Sequence, residues 1–320
     1  MPPERRERYV TERARLVEAA RVSIARGSKS FAAASLLFDR RTRERAWLLY
    51  AWCRKCDDLA DDQDMGGALG SEAGSAARLA TIRELTSAAL AGEPTGDDSF
   101  DALGMVAAEC GLTDDLTDAV IAGFALDAAG WRPETERDLM RYCWHVAGAV
   151  GVLMARVMGV AADDADTLDR AADLGFAFQL ANIARDMIED AAAGRCYLPA
   201  EWLAEEGVAP ASIADPANRP ALARIAVRLA QRAAVHEASA RVGAARLGFR
   251  QRWAVLAAAA IYGGIARAVV RRGAAAWDER VATGKAAKLA MIAQAWFAAL
   301  RPASLPTIDE RRFTRRDFAG

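Results

Sequence analysis

The chain has 320 residues, 53% hydrophobic and 27% charged, which excludes a disordered or fibrous protein and leaves enough apolar side chain for a large core. Its 42 basic and 43 acidic residues give a net charge of −1, so nothing favours nucleic acid as a partner, and any anionic ligand must be held by a local cluster. Five scattered cysteines, an odd number, suit a reducing cytoplasm better than a disulfide framework.

Proline-free stretches rich in Ala, Leu, Arg and Glu alternate with ten bunched prolines, and period-two alternation is nowhere sustained. An all-α fold is therefore expected. In chain order, helices are predicted over 4–26, 29–38, 41–65, 75–91, 98–110 and 113–128. Others follow over 135–158, 164–190, 199–206, 218–247, 250–272 and 284–300. Asp39 and Thr113 are candidate caps for the helices they precede. No linker or repeat divides the chain, so 1–320 reads as one domain, with an N-terminal helix over 1–26.

The N-terminus is charged through residue 15, unlike a secretory signal. The longest uncharged apolar run, Trp253–Ala266, has 14 residues, too short to span a bilayer and suited to a buried helix. A cytoplasmic location is expected, with peripheral membrane contact left open. The segment 65–74 is glycine-rich and reads as a flexible connection or a lid. The tail, 301–320, is basic and contains proline; it is expected to fray and is a candidate for touching an anionic membrane.

Cys53 and Cys56 form a CxxC without a second CxxC, a flanking histidine or a preceding strand. Two small apolar residues on a helix is the better reading than a redox or zinc site.

The chemistry sits in two polar stripes. Tyr50, Arg54, Asp57 and Asp61 fall at i, i+4, i+7 and i+11, on one face of a helix whose other residues are mostly apolar. Asp57, Asp58, Asp61, Asp62 and Asp64 place five carboxylates within eight residues. Like charges roughly 6 Å apart repel by about 3 kcal/mol at an effective dielectric of about 20. A cation reverses the sign of that cost, and no lysine follows until Lys285.

The second stripe is Gln179, Asn182, Asp186 and Asp190, with Glu189 beside it, on a helix entered through apolar Leu174–Phe178. Arg185 can meet a phosphate oxygen in bidentate fashion. Opposed across a bundle, two such faces would make an oxygen-rich cage for hard cations carrying a phosphorylated substrate. All-oxygen ligands suit Mg²⁺ or Mn²⁺. A di-iron bundle would need Glu-x-x-His, but Tyr142 and Ala233 stand three before the two histidines, His145 and His236. Both histidines read as structural. No Rossmann, Walker, HExxH or GxSxG motif is present.

These stripes and the segments around them resemble the squalene/phytoene synthase family, its bacterial phytoene-forming members most of all. The matching segments are Gly27–Phe31, Tyr50–Asp58, Tyr142–Gly151, Gln179–Asp190, Gly194–Pro199 and Ala276–Val281, in the family's order over roughly residues 27–290. The resemblance implies an all-α isoprenoid-synthase fold and head-to-head condensation of two prenyl diphosphates.

By position in the family's motifs, Asp57, Asp61, Asn182, Asp186 and Asp190 would hold metal. Ser28, Lys29, Ser30, Tyr50, Arg54, Gln179, Arg185, Tyr262 and Arg280 would contact the diphosphates or their surroundings, and Tyr142 would sit near the reacting carbons. The implied route runs from two geranylgeranyl diphosphates through a cyclopropyl diphosphate to phytoene, with Mg²⁺ and without NADPH. A farnesyl diphosphate enzyme making squalene, dehydrosqualene or hydroxysqualene is the alternative. A silent scaffold relative is the alternative of another class, and it would be expected to lose the metal ligands that stand complete here.

Two departures stand out. Gly27 replaces a histidine of some relatives, and Ala184 is smaller than the aliphatic residue usual before Arg185. The small residues Ala32, Ala33, Ala34 and Ser35 suggest room for a twenty-carbon chain.

Overall fold

Alanine, leucine and arginine dominate the stretches between prolines, and these stretches are helical; among the described residues there is no strand. The structure, a computed structural model, describes residues 3–62, 74–300 and 311–319, with the backbone alone at Lys29 and Ser30. Residues 65–73 of the segment read as a lid and residues 301–310 and 320 of the tail lie outside the described residues. The chain falls into two compact units, Met1–Ala129 with Leu153–Ala161, and Gly130–Val152 with Ala162–Gly320.

The first unit contains α1 (Pro3–Gly27), α2 (Lys29–Ser35), α3 (Arg40–Ala60), α4 (Ser75–Leu90), α5 (Asp98–Cys110) and α6 (Asp114–Ala128). The expected boundaries hold to within a few residues, except that α2 ends at Ser35 and α3 at Ala60. Asp39 caps α3 as predicted, accepting the Thr42 amide at 3.0 Å. Thr113 takes the cap position of α6 without a side-chain bond.

Trp52, Phe100, Leu103, Ile82 and Ile121 are wholly buried in this unit, each contributing about 1.5–3 kcal/mol by leaving water. The buried Trp52 indole satisfies its N–H on Thr86 Oγ1 at 3.2 Å. Glu109 ties three elements together, accepting from Tyr9 at 3.0 Å, Arg13 at 2.5 Å and Arg45 at 2.7 Å. Burial alone would raise the Glu109 pKa, but the two guanidinium groups outweigh it and hold the carboxyl below its usual range.

The second unit begins with α7 (Glu136–Cys143), a π-helical turn over Trp144–Gly148, and α8 (Ala149–Val157), which the two units share. It continues with α9 (Ala165–Ala192), α10 (Ala200–Glu205), α11 (Arg219–Ala244), α12 (Phe249–Arg272) and α13 (Lys285–Leu300). The single helix expected over 135–158 is therefore interrupted by one π turn. Against it α9 approaches backbone to backbone: a β-carbon at Gly175 would collide with the Ala147 carbonyl, and one at Gly151 with the Ala171 carbonyl.

By length and composition the helical stretch Phe249–Trp277 could cross a membrane, yet half of its most apolar window is buried. It packs on α9, α11 and α13.

Residues 311–319 do not fray. Arg311 donates to Asp173 at 2.7 Å, and Arg315 and Arg316 each donate to Asp169 at 2.6 Å. Arg312 reaches Glu136 at 3.0 Å. Asp169, Asp173 and Glu136 are buried, and a buried carboxylate needs such partners. These four arginines are engaged with the protein's own acids, which corrects the expectation of a loose basic tail over this part of the chain.

Candidate active site

On α3 the pattern places Tyr50, Arg54, Asp57 and Asp61 on one half-exposed face, while Leu48, Leu49, Ala51, Trp52 and Cys56 are buried. Arg54 Nη1 donates to Asp57 Oδ2 at 2.6 Å and lies 3.8 Å from Asp58. Arg54 Nε meets the Tyr50 hydroxyl at 3.4 Å. Partial burial works against the Arg54 charge, but the Tyr50 contact and the neighbouring aspartates outweigh it and raise its pKa. The face stays cationic at its centre and anionic at its end.

Asp61 is the C-cap of α3, and Asp62 follows at φ +51°, a left-handed conformation that aspartate tolerates better than most side chains. That turn ends the helix at the second carboxylate of the pair.

Gly27 has a local reason. A β-carbon there would collide with the Tyr50 hydroxyl. The tyrosine thus fills the space a larger residue at 27 would need. Phe31 meets the Tyr50 ring edge-on at 5.7 Å. Ser28 caps α2, its Oγ accepting the Phe31 amide at 3.3 Å. The side chains of Lys29 and Ser30 lie outside the described residues.

Of the four small residues after Ser30, Ala33 is exposed and Ala32 and Ala34 are half-exposed, but Ser35 is buried. Its hydroxyl donates to the Ala32 carbonyl at 2.7 Å and accepts the Trp47 indole N–H at 2.9 Å. Ser35 is a packing residue of the α2–α3 turn.

On α9, Gln179, Asn182, Arg185, Asp186 and Asp190 are half-exposed, with Leu180, Ala181, Ile183, Ala184 and Met187 buried behind them. Asp186 is held by two arginines. Arg185 donates through both Nε, at 2.7 Å, and Nη2. Arg280 Nη2 lies 3.1 and 3.2 Å from the two carboxylate oxygens, and its Nε is 3.3 Å from Glu189. Burial opposes the Arg185 charge, yet the Asp186 bonds prevail and raise its pKa.

The Trp277–Arg280 segment is anchored on the same helix, because the Trp277 indole donates to the Ala184 carbonyl at 3.3 Å. Tyr262 stacks on Phe178 at 3.9 Å, and burial raises its phenol pKa against the opposing pull of Arg185.

Tyr142 is buried at the end of α7, just before the π turn. Its ring stacks on Trp131 at 5.6 Å and on Tyr197 at 4.8 Å. Composition did not reveal this triple stack. Nor did it reveal the Arg280–Asp186 pairing, although Arg280 was itself a predicted site residue.

Burial pushes Cys53 up to about 12 and Cys56 well above an ordinary thiol, which removes the nucleophilic thiolate. His236 is buried, its Nδ1 at 2.7 Å from Asp173.

The donor chemistry fits a hard divalent cation, since both stripes offer carboxylate oxygens, the second adds the amides of Gln179 and Asn182, and neither offers thiolate or imidazole. Among the described residues no three His, Cys, Asp or Glu side chains are grouped closely enough to form a metal site by themselves. Magnesium tolerates this, because it keeps water and shares substrate phosphate oxygens instead of demanding an all-protein cage.

A family model described as squalene/phytoene synthase matches residues 24–287. The chain is 47% identical to a phytoene synthase of Pseudescherichia vulneris, covering 87% of this chain and 90% of that protein. It is 46% identical to a 15-cis-phytoene synthase of Enterobacter agglomerans, over 84% of this chain and 91% of the relative. Its fold matches a ligand-bound crystal structure of a dehydrosqualene synthase with a TM-score of 0.79 and 25% identity, over 90% and 97% of the two chains. A squalene synthase from Alicyclobacillus acidocaldarius matches with a TM-score of 0.73 and 26% identity, over 82% and 96%. The all-α architecture is thus the helical isoprenoid-synthase fold, and the chain belongs to the squalene/phytoene synthase family.

Proposed function

We propose that the chain is a phytoene synthase, joining two geranylgeranyl diphosphates head to head through a cyclopropyl diphosphate, with release of diphosphate. The observation that carries this reading is the pair of stripes, each setting an arginine against its first aspartate: Arg54 on Asp57, and Arg185 with Arg280 on Asp186. Relatives 43–47% identical and named phytoene or 15-cis-phytoene synthase favour the twenty-carbon donor over farnesyl diphosphate.

An allylic diphosphate ionises when the charge growing on its leaving group is neutralised. Asp57, Asp61, Asn182, Asp186 and Asp190 would hold magnesium, which supplies Lewis-acid charge for that step when bound. Arg54, Arg185 and Arg280 carry planar forks that match diphosphate oxygens. Tyr142, stacked with Trp131 and Tyr197, belongs to an aromatic cluster that brings no strong nucleophile to a carbocation. A dry surrounding of this kind leaves the second prenyl double bond as the group that captures the cation.

Release of a forty-carbon hydrocarbon calls for a lipid surface, and α13 supplies a face for one. Leu289 and Phe297 are 67% and 65% exposed, with Trp296 and Leu300 beside them. The helix has no acidic residue and carries Lys285 and Lys288 at its start, the mixture expected of a segment lying on an anionic bilayer. We propose a cytoplasmic protein in peripheral contact with a membrane.

The test is a competition between geranylgeranyl and farnesyl diphosphate with Mg²⁺ and no NADPH. Phytoene as the dominant product supports the reading. Turnover of farnesyl diphosphate alone would replace it with a fifteen-carbon enzyme of the same family.

A further inference from the structure

Asp186 is saturated. Its Oδ1 accepts from Arg185 Nε at 2.7 Å, Arg280 Nη2 at 3.1 Å and Arg280 Nε at 3.3 Å, and its Oδ2 from Arg280 Nη2 at 3.2 Å and from Arg185 Nη2. A carboxylate offers about four lone-pair sites, so little is left for another ligand.

The two arginines are not equivalent. Arg185 is the neighbour of Asp186 on α9 and its side chain is 16% exposed, whereas Arg280 is 55% exposed and comes from the segment before α13. The base of that segment is fixed by Trp277 on the Ala184 carbonyl, and by Arg272 Nη1 on the Glu279 carbonyl at 3.1 Å. Arg280 can therefore leave by side-chain rotation alone, and its other partner, Glu189, is exposed.

We infer that Arg280 is a placeholder cation on Asp186, which makes metal binding and diphosphate binding a coupled event. This rests on the reading of Asp186 as a metal ligand. A guanidinium and a divalent cation repel when they share one carboxylate. Without diphosphate, Arg280 must be driven into water before Asp186 can ligate. With diphosphate present, the displaced fork finds an anion of matching geometry and recovers its bidentate bonds. By linkage, each ligand then raises the affinity of the other by the same factor.

A placeholder cation and a merely structural ion pair differ in sign. Removing a structural pair loosens the site, whereas removing a placeholder leaves Asp186 with Arg185 alone, frees lone pairs there for metal and tightens binding of metal alone. Mn²⁺ would be titrated into the protein without any diphosphate, free ion being read by electron paramagnetic resonance, for the wild type, Arg280→Gln and Arg280→Gln/Asp186→Asn.

Tighter Mn²⁺ binding by Arg280→Gln, on the order of tenfold, and its loss in the double variant, are expected. The same single variant should bind inorganic diphosphate more weakly at saturating Mn²⁺ by calorimetry, with an unchanged circular dichroism spectrum. Unchanged or weaker Mn²⁺ binding in Arg280→Gln, or none in either protein, overturns the placeholder role. Tight binding that survives Asp186→Asn overturns the metal reading of Asp186, and the placeholder falls with it.

Discussion

Arg311 donates to Asp173 at 2.7 Å across 138 positions of sequence, joining the C-terminal segment to the N-terminal third of the helix that carries Asp186 and Asp190. Asp173 is fully buried and is also met by His236 at 2.7 Å and Ser239 at 2.5 Å. Arg311→Ala would leave this carboxylate without its cation, at a cost of about 3–5 kcal/mol. A melting temperature several degrees lower by circular dichroism is expected. An unchanged melt would mean that the segment docks without holding α9.

Ser35 sits between the Ala32 carbonyl and the Trp47 indole. Ser35→Ala leaves the indole N–H without its acceptor and should cost about 1–3 kcal/mol. Donor preference between fifteen- and twenty-carbon substrates should stay the same, because the hydroxyl faces the α2–α3 turn. Denaturant melts and a competition assay read the two effects separately.

The thiols at 53 and 56 should be silent. Cys53 is held at about 12 and Cys56 higher, by burial first and by neighbouring negative charge second. At pH 8 both are therefore protonated, and iodoacetamide should label neither in the folded protein while labelling both in denaturant. Rapid labelling of the native pair, followed by loss of activity, would reinstate a chemical role for the CxxC.

The exposed face of α13 makes the lipid proposal measurable. Leu289→Ser with Phe297→Ser should lower co-sedimentation with anionic vesicles at least fivefold, on the basis of about 1.5–3 kcal/mol for each large apolar side chain buried. Activity on detergent-dispersed substrate should be retained. Equal vesicle binding by the double variant would move lipid contact to another surface.

The two stripes were legible because helical periodicity is local: Asp57 and Asp61, or Asp186 and Asp190, share a face by their spacing alone. The twelve predicted helices fall where alanine and leucine are dense and proline is absent or confined to the first turn, for the same reason. The π turn at Trp144–Gly148 was not legible, since a single widened turn leaves no mark in composition.

Arg280 with Asp186 and Arg311 with Asp173 were also hidden, because each pairing crosses many positions and depends on tertiary packing. One signal was available. Asp169 and Asp173 lie four apart, beside the apolar Leu168, Ala172 and Phe176, and acids on such a buried face require cations. The basic tail is one supply of them.

The most direct test of the account is phytoene formation from geranylgeranyl diphosphate and Mg²⁺ by the wild type, Asp57→Asn and Asp186→Asn, with EDTA as the control. Phytoene is expected from the wild type, abolished by EDTA and reduced at least 100-fold in each variant, because charge stabilisation of the leaving group is removed, with circular dichroism unchanged. Full activity after the loss of either aspartate, or phytoene formed in excess EDTA, would contradict it.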